Sequence, residues 1–103
     1  IINIKLTKAG GLGPASQIAA MAKACGVDSM MGCMLESKVG ISAAAALSAG
    51  SMGIVKNDLD AADLMADDPF IGGITYDKNM ILLSEEPGLG ITGVKGLESL
   101  TTV

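Results

Sequence analysis

Charged side chains follow apolar segments of this chain at the points where predicted strands end. Lys5 lies near the end of the apolar segment 1–6, shortly before a glycine-rich stretch, and Asp58 and Asp60 follow a later apolar segment. In α/β proteins, ligands and catalytic groups collect at the carboxyl ends of the strands. A neutral lysine can act as a base, and two carboxylates on one strand face suit a cationic group such as an ammonium. The pattern therefore predicts a site that combines a lysine with paired anions.

Three further candidate residues lie at the end of the middle apolar segment, residues 27–35. Glu36 follows this segment, and we expect it either to contact a substrate or to orient the lysine or a neighbouring polar group. Met34 and Cys33 are expected to shape a side-chain pocket, although methionine more often fills a core. Cys25 and Cys33 lack metal-site spacing and the chain has no histidine, so we interpret them as reduced thiols of a cytoplasmic protein.

The elements between these residues follow a β-α-β-α-β order. Pro14 predicts the first position of a helix that Gly26 ends, and its apolar face is predicted to contain Ala15, Ile18, Ala22 and Cys25. Ser37 predicts the N-cap of an alanine-rich helix that reaches about Ala49, and residues 53–58 predict the third strand. Such regular alternation is typical of successive βα units in a parallel sheet or barrel.

The chain changes character after Asp60. Residues 72–76 and 80–83 flank the polar sequence Asp-Lys-Asn and predict a β-hairpin. The sequence Pro-Gly-Leu-Gly at 87–90 predicts a turn, and the last dozen residues predict a tail that docks on another surface.

Composition restricts the partners that this chain can have. It has 103 residues, a net charge of −4, 50% hydrophobic residues and 17% charged residues. An acidic chain without a lysine or arginine cluster is not expected to bind nucleic acid or an anionic membrane. No apolar run approaches the roughly 20 residues of a membrane span. Because the apolar content is high for so short a chain, we expect it to pack against more protein, such as further copies of itself.

Two folds fit the first half of the chain. Residues 11–13 (Gly-Leu-Gly) with Ser16 come close to the dinucleotide-binding fingerprint, although that fingerprint has Gly or Ala where Ser16 stands. Lys5 and Lys8 argue against it, since a first Rossmann strand is normally apolar and leads at once into the loop. The alternative is a (β/α)₈ barrel, which would gather the charged strand-end residues at its carboxyl mouth.

Four segments decide between these folds by resemblance to a known family. They are residues 3–11 (NIKLTKAGG), 31–37 (MGCMLES), 58–60 (DLD) and 86–91 (EPGLGI). In matching order and spacing, they resemble the enolase superfamily, and within it the muconate-lactonizing-enzyme subgroup and its dipeptide epimerases of the L-Ala-D/L-Glu type. The resemblance covers residues 1–91.

The resemblance implies an α/β fold in which the chain forms the C-terminal part of a (β/α)₈ TIM-type barrel. Residues 1–66 would be the last three βα units, and residues 67–103 a C-terminal hairpin and tail packed on the barrel or a capping domain. Lys5 would then lie on strand six, and Asp58 and Asp60 at the end of strand eight. Family members hold Mg²⁺ through carboxylates on strands three to five. The metal ligands are therefore expected in a missing N-terminal part of the same enzyme, and this chain alone is expected to be inactive.

The chemistry implied by the resemblance is a 1,1-proton transfer at the α-carbon next to a carboxylate, in which Mg²⁺ stabilises an enediolate. Lys5 would be the base, and Asp58 and Asp60 would hold the amino terminus of a dipeptide. The absence of histidine excludes the branch that resembles mandelate racemase within this region. Other lysine-based relatives stay open, namely N-acylamino-acid racemases, muconate cycloisomerases and o-succinylbenzoate synthases. A non-catalytic half-barrel that mediates assembly is the alternative from another class.

Overall fold

A three-stranded parallel sheet forms the centre of the protein. The computed structural model describes residues 1–34, 36–59, 70–77 and 80–94. Within these ranges the strands β1 (Ile2–Lys5), β2 (Ser29–Gly32) and β3 (Ile54–Asn57) lie in the order β1-β2-β3, and both neighbouring pairs are parallel. The predicted β-α-β-α-β order is confirmed. The strands are shorter than predicted, because only about four residues of each apolar segment take part in the ladder.

Three helices connect these strands: α1 (Leu6–Ala9), α2 (Leu12–Ala24) and α3 (Lys38–Ala49). The prediction of α3 is confirmed, with Ser37 as its N-cap and Gly50 as its C-cap. The predicted helix start at Pro14 was wrong, since α2 already begins at Leu12, and a short helix that was not predicted, α1, directly follows β1. Pro14 therefore occupies the first turn of α2 without being its first residue, which costs no hydrogen bond because that turn has no acceptors for its N–H groups.

The buried face of α2 differs from the predicted one. Its buried residues are Ala15, Ala19 and Ala22, whose small side chains let the helix approach the sheet closely. Ile18 is 39% exposed and lines a groove with Ile2 beside the outer edge of β1. Cys25 is exposed at the C-cap. The apolar spacing thus identified the helix, but it assigned two of the four residues to the wrong face.

The core lies between the helices and one face of the sheet. Ile4 and Met31 are register partners on β1 and β2, and they are 2% and 0% exposed. Ile41 and the alanines 43–45 of α3 cover them, together with Ile54 of β3. The alternate residues of each strand point to the opposite face of the sheet, which these helices do not cover.

The described residues of the C-terminal part form two antiparallel strand pairs. The predicted hairpin is confirmed as β5 (Thr75–Asp77) with β6 (Met80–Leu82), although its turn residues 78–79 lie outside the described ranges. The first residues of the predicted tail belong to β7 (Ile91–Val94), which pairs with β4 (Phe70–Gly72), and the rest of that tail lies outside the described residues and stays a prediction. The predicted division at residues 66 and 67 falls among undescribed residues and stays a prediction.

A buried hydrogen bond fastens this C-terminal part to α3. Ile74 is 1% exposed and belongs to the same core as the sheet. Its backbone N–H donates to Oγ of Ser42, which is itself buried in α3, at 3.1 Å. Among the described residues, no helix is both long enough and apolar enough to cross a membrane.

Candidate active site

The carboxyl edge of the sheet, where Lys5, Gly32 and Asp58 lie side by side, brings the predicted residues together. Lys5 is the register partner of Gly32, and the N–H of Asp58 donates to the carbonyl of Met31 at 2.8 Å. Two strand spacings separate the backbones of Lys5 and Asp58, which amounts to about 10 Å. The structure therefore places the predicted lysine and one of the predicted carboxylates at the same end of the two outer strands, on either side of β2.

Strand alternation determines which face these side chains share. Ile4 and Met31 face the helices, so Lys5, the next residue of β1, projects toward the uncovered face. On β3, the side chain of Asn57 accepts a hydrogen bond from Ser48 of α3 and thus faces the helices. The following residue, Asp58, then projects to the same side as Lys5. Lys5 is half-buried and Asp58 is exposed.

Because Gly32 has no side chain, position 32 leaves space between Lys5 and Asp58. A Cβ atom at this position would collide with Oδ1 of Asn3, whose side chain lies over the bare backbone. Asn3 precedes Lys5 on the same face of β1. Any side chain at position 32 would therefore displace Asn3 and fill the space between Lys5 and Asp58.

Glu36 is held by two hydrogen bonds beside this edge. Its Oε1 accepts from Oγ1 of Thr7 at 3.0 Å, and its Oε2 accepts from the N–H of Met34 at 3.1 Å. A Cβ atom on Gly40 of α3 would lie 2.8 Å from Oε1, so the glycine leaves room for this orientation. Glu36 thus contacts neighbouring polar groups, and its expected role, to orient the lysine or such a group or to contact a substrate, stays a prediction.

The other predicted residues differ in their location relative to the site. Cys33 lies just beyond β2 rather than within it, and its Sγ donates to the carbonyl of Asp58 at 3.4 Å. Met34 is 44% exposed and does not fill the core. Asp60 lies outside the described residues. Pocket contacts for Met34 and Cys33 therefore stay predictions.

Two residues that were not predicted from the sequence contact this site. Thr7 bonds Glu36, and the Tyr76 hydroxyl donates to the carbonyl of Leu59. Thr7 follows Lys5 closely in sequence, so a search for polar residues around the lysine would have found it. Tyr76 is the chain's only tyrosine and lies in the hairpin, and no local pattern connects it with the third strand.

The acidic residues near the site do not by themselves fit a magnesium ion. Mg²⁺ takes oxygen ligands in near-octahedral geometry. Across the described ranges, Asp, Glu and Cys side chains nowhere gather in groups of three that could hold a metal. The carboxylate of Glu36 is already engaged by Thr7 and Met34. The described residues of this edge therefore do not form a magnesium site by themselves.

Comparisons with known proteins assign this arrangement to a family. The model of the enolase C-terminal domain-like family matches residues 1–94. The chain is 50% identical over 93 residues to the L-Ala-D/L-Glu epimerase of Bacillus subtilis, and the match covers 90% of this chain and 25% of that relative. The substrate-liganded structure of the Bacillus subtilis enzyme superposes with a TM-score of 0.87, covering 90% of this chain and 26% of that one.

A second solved structure gives the same result at lower identity. The dipeptide epimerase from Methylococcus capsulatus, complexed with Mg ion, is 40% identical and superposes with a TM-score of 0.85, covering 88% of this chain and 26% of that one. The chain thus spans about a quarter of the length of the relatives that it matches. The predicted fold class is confirmed. The chain belongs to the enolase C-terminal domain-like family, and its parallel sheet is the C-terminal part of that family's (β/α)₈ barrel.

Proposed function

We propose that this chain supplies the last three βα units of a dipeptide epimerase, which inverts the α-carbon next to a carboxylate by 1,1-proton transfer. The observation that carries the proposal is the shared carboxyl edge, where Lys5 and Asp58 project to one face on either side of Gly32. The 50% identity to an L-Ala-D/L-Glu epimerase supports it. Since the chain spans about a quarter of that relative, the activity belongs to the complete polypeptide.

Lys5 is the proton-transfer residue of this proposal. Its Nζ removes the α-proton from one face of the substrate carbon or returns it there, which requires the neutral and charged forms in turn. A single group on one face would return the proton to the side from which it came. Inversion therefore requires a second group on the opposite face, and another part of the polypeptide supplies it.

Asp58, together with Asp60, binds the substrate's α-ammonium in this proposal. Two carboxylates can accept from several of its three N–H donors, and such charge-assisted bonds are strong. In a dipeptide, standard bond lengths place the ammonium nitrogen about 5 Å from the second α-carbon. Contacts of about 3 Å at each end then fit between side chains whose backbones are about 10 Å apart.

Two finer elements belong to the proposal as well. Mg²⁺ enters it because the related Methylococcus capsulatus structure is complexed with Mg ion, and its ligands would come from outside this chain. A cytoplasmic location is supported by Cys25 and Cys33, which form no disulfide with each other.

The test is an assay of the full-length polypeptide that contains this chain. It is incubated in D₂O with L-Ala-L-Glu and, separately, with N-acetylated amino acids, and exchange at the α-carbon is followed by NMR. We expect exchange and epimerisation of the dipeptide. Turnover of the N-acylated compounds alone would assign the protein to the acylamino-acid racemases. No exchange with any of them would favour a cycloisomerase, a synthase or a non-catalytic role.

A further inference from the structure

Side chains from three separate parts of the chain form hydrogen bonds with residues 57–59. Cys33, just beyond β2, donates from Sγ to the carbonyl of Asp58 at 3.4 Å. Ser48 of α3 bonds the side chain of Asn57. From β5, the Tyr76 hydroxyl donates to the carbonyl of Leu59. Among the described residues of this segment, the last backbone bond to the neighbouring strand runs from the Asp58 N–H to Met31, and the next carbonyl, that of Leu59, is bonded by a side chain.

The bond from Tyr76 is the one that reaches the peptide between the two predicted substrate carboxylates. Leu59 is 2% exposed, and its carbonyl has no place in the β-ladder. A carbonyl without a strand partner needs another donor when it is buried. The ring of Tyr76 packs against the core, which holds the hydroxyl in position. Rotation about the Leu59 backbone would shift the chain directly after Asp58, and the bond opposes that rotation.

We propose that Tyr76 is a positioning residue for the substrate-ammonium site. The hydroxyl fixes the Leu59 carbonyl, and this bond in turn holds the adjoining backbone that carries the Asp58 carboxylate. The C-terminal hairpin thereby contributes to substrate recognition without touching the substrate. This inference rests on the proposed function, because the ammonium is the group that needs both carboxylates at once.

The variant that isolates this role is Tyr76→Phe in the full-length polypeptide, since it keeps the ring packing and removes only the hydroxyl. Binding is measured by calorimetry in a Lys5→Ala background, so that the ligand is not turned over. The ligands are L-Ala-L-Glu and N-acetyl-L-Ala-L-Glu, which differ in the ammonium. Loss of one neutral hydrogen bond corresponds to a factor of roughly 3 to 10. We expect the Kd of the free dipeptide to rise by that factor and the Kd of the acetylated one to stay unchanged.

Thr92→Val is the matched control. Thr92 also donates a hydroxyl to a carbonyl in the C-terminal part, that of Ile71 at 3.4 Å, but in the β4–β7 pair. This variant should change neither Kd. Amide hydrogen exchange of residues 57–60, measured without ligand, should become faster in Tyr76→Phe and not in Thr92→Val.

Two results would overturn the inference: equal rises of both Kd values in Tyr76→Phe, which indicate a purely structural bond, or no change in either. Failure of the proposed function looks different, because the parent protein itself would then show no preference for the free dipeptide over its acetylated form.

Discussion

At the scale of single residues, substitution can distinguish the role of Lys5 from that of Lys8. Lys5→Ala in the full-length polypeptide should lower α-proton exchange from one face of the substrate by about 10²-fold or more, the usual size of a lost acid–base contribution. Exchange followed by NMR in D₂O from each enantiomer separately measures this. Lys8 is an exposed lysine of α1, so Lys8→Ala is the control and should keep both exchanges. Unchanged epimerisation in Lys5→Ala would remove Lys5 from the mechanism.

The carboxylates allow a second test at this scale, based on substrate charge. Removing one partner of a desolvated charge pair costs about 2–5 kcal/mol, so Asp58→Asn should lower kcat/KM for a free-amino dipeptide by on the order of 10². Asp60→Asn should do the same, whereas an N-acetylated analogue should lose little with either. Asp28 is an exposed aspartate at the other end of the sheet, and Asp28→Asn serves as the control. Equal losses for both substrates would mean that the pair supports the barrel rim only.

At the scale of elements, the residue at position 40 affects both the stability of α3 and the orientation of the Glu36 carboxylate. Gly40→Ala should favour the helix by up to about 1 kcal/mol, but its Cβ would lie 2.8 Å from Oε1 of Glu36 and push the carboxylate away from Thr7. We expect an unchanged or higher Tm together with a several-fold lower kcat/KM. In α2, a Cβ on Gly13 would meet nothing within 4 Å. Gly13→Ala should therefore raise Tm without changing kcat/KM, and an equal effect of both variants on activity would contradict this role of Glu36.

The elements also show which features of the fold and the site are predictable from the sequence. Lys5 and Asp58 were predictable because parallel strands bring their carboxyl ends to one edge, whatever lies between them. The helix α1 was not, because a single turn within a glycine-rich stretch has no periodicity to recognise. Pairing of β4 with β7 and the bond from Tyr76 to Leu59 depend on partners distant in the chain. Local propensity does not encode such partners.

At the scale of the whole molecule, the sheet has two open edges. β1 and β3 each have one strand neighbour among the described residues, and open edges pair readily with other strands. Apolar side chains are exposed along them, with Ile1 at 70% and Val55 at 54%. We expect the isolated 103-residue chain to self-associate and the full-length polypeptide to remain well dispersed, both measured by sedimentation velocity. A sharp monomer boundary for the isolated chain with cooperative unfolding would contradict this expectation.

The different surroundings of the two cysteines have a consequence for chemical labelling. Cys25 is exposed at the end of α2, whereas Cys33 is half-buried and bonded to the Asp58 carbonyl. An alkylating reagent should therefore modify Cys25 first and leave turnover intact, so that a fluorophore can be attached there as a silent reporter. Slower modification of Cys33 would break its bond to Asp58 and inactivate the full-length polypeptide. A dipeptide bound at the neighbouring carboxylates should delay that second step, and mass spectrometry of peptides taken over time would record the order.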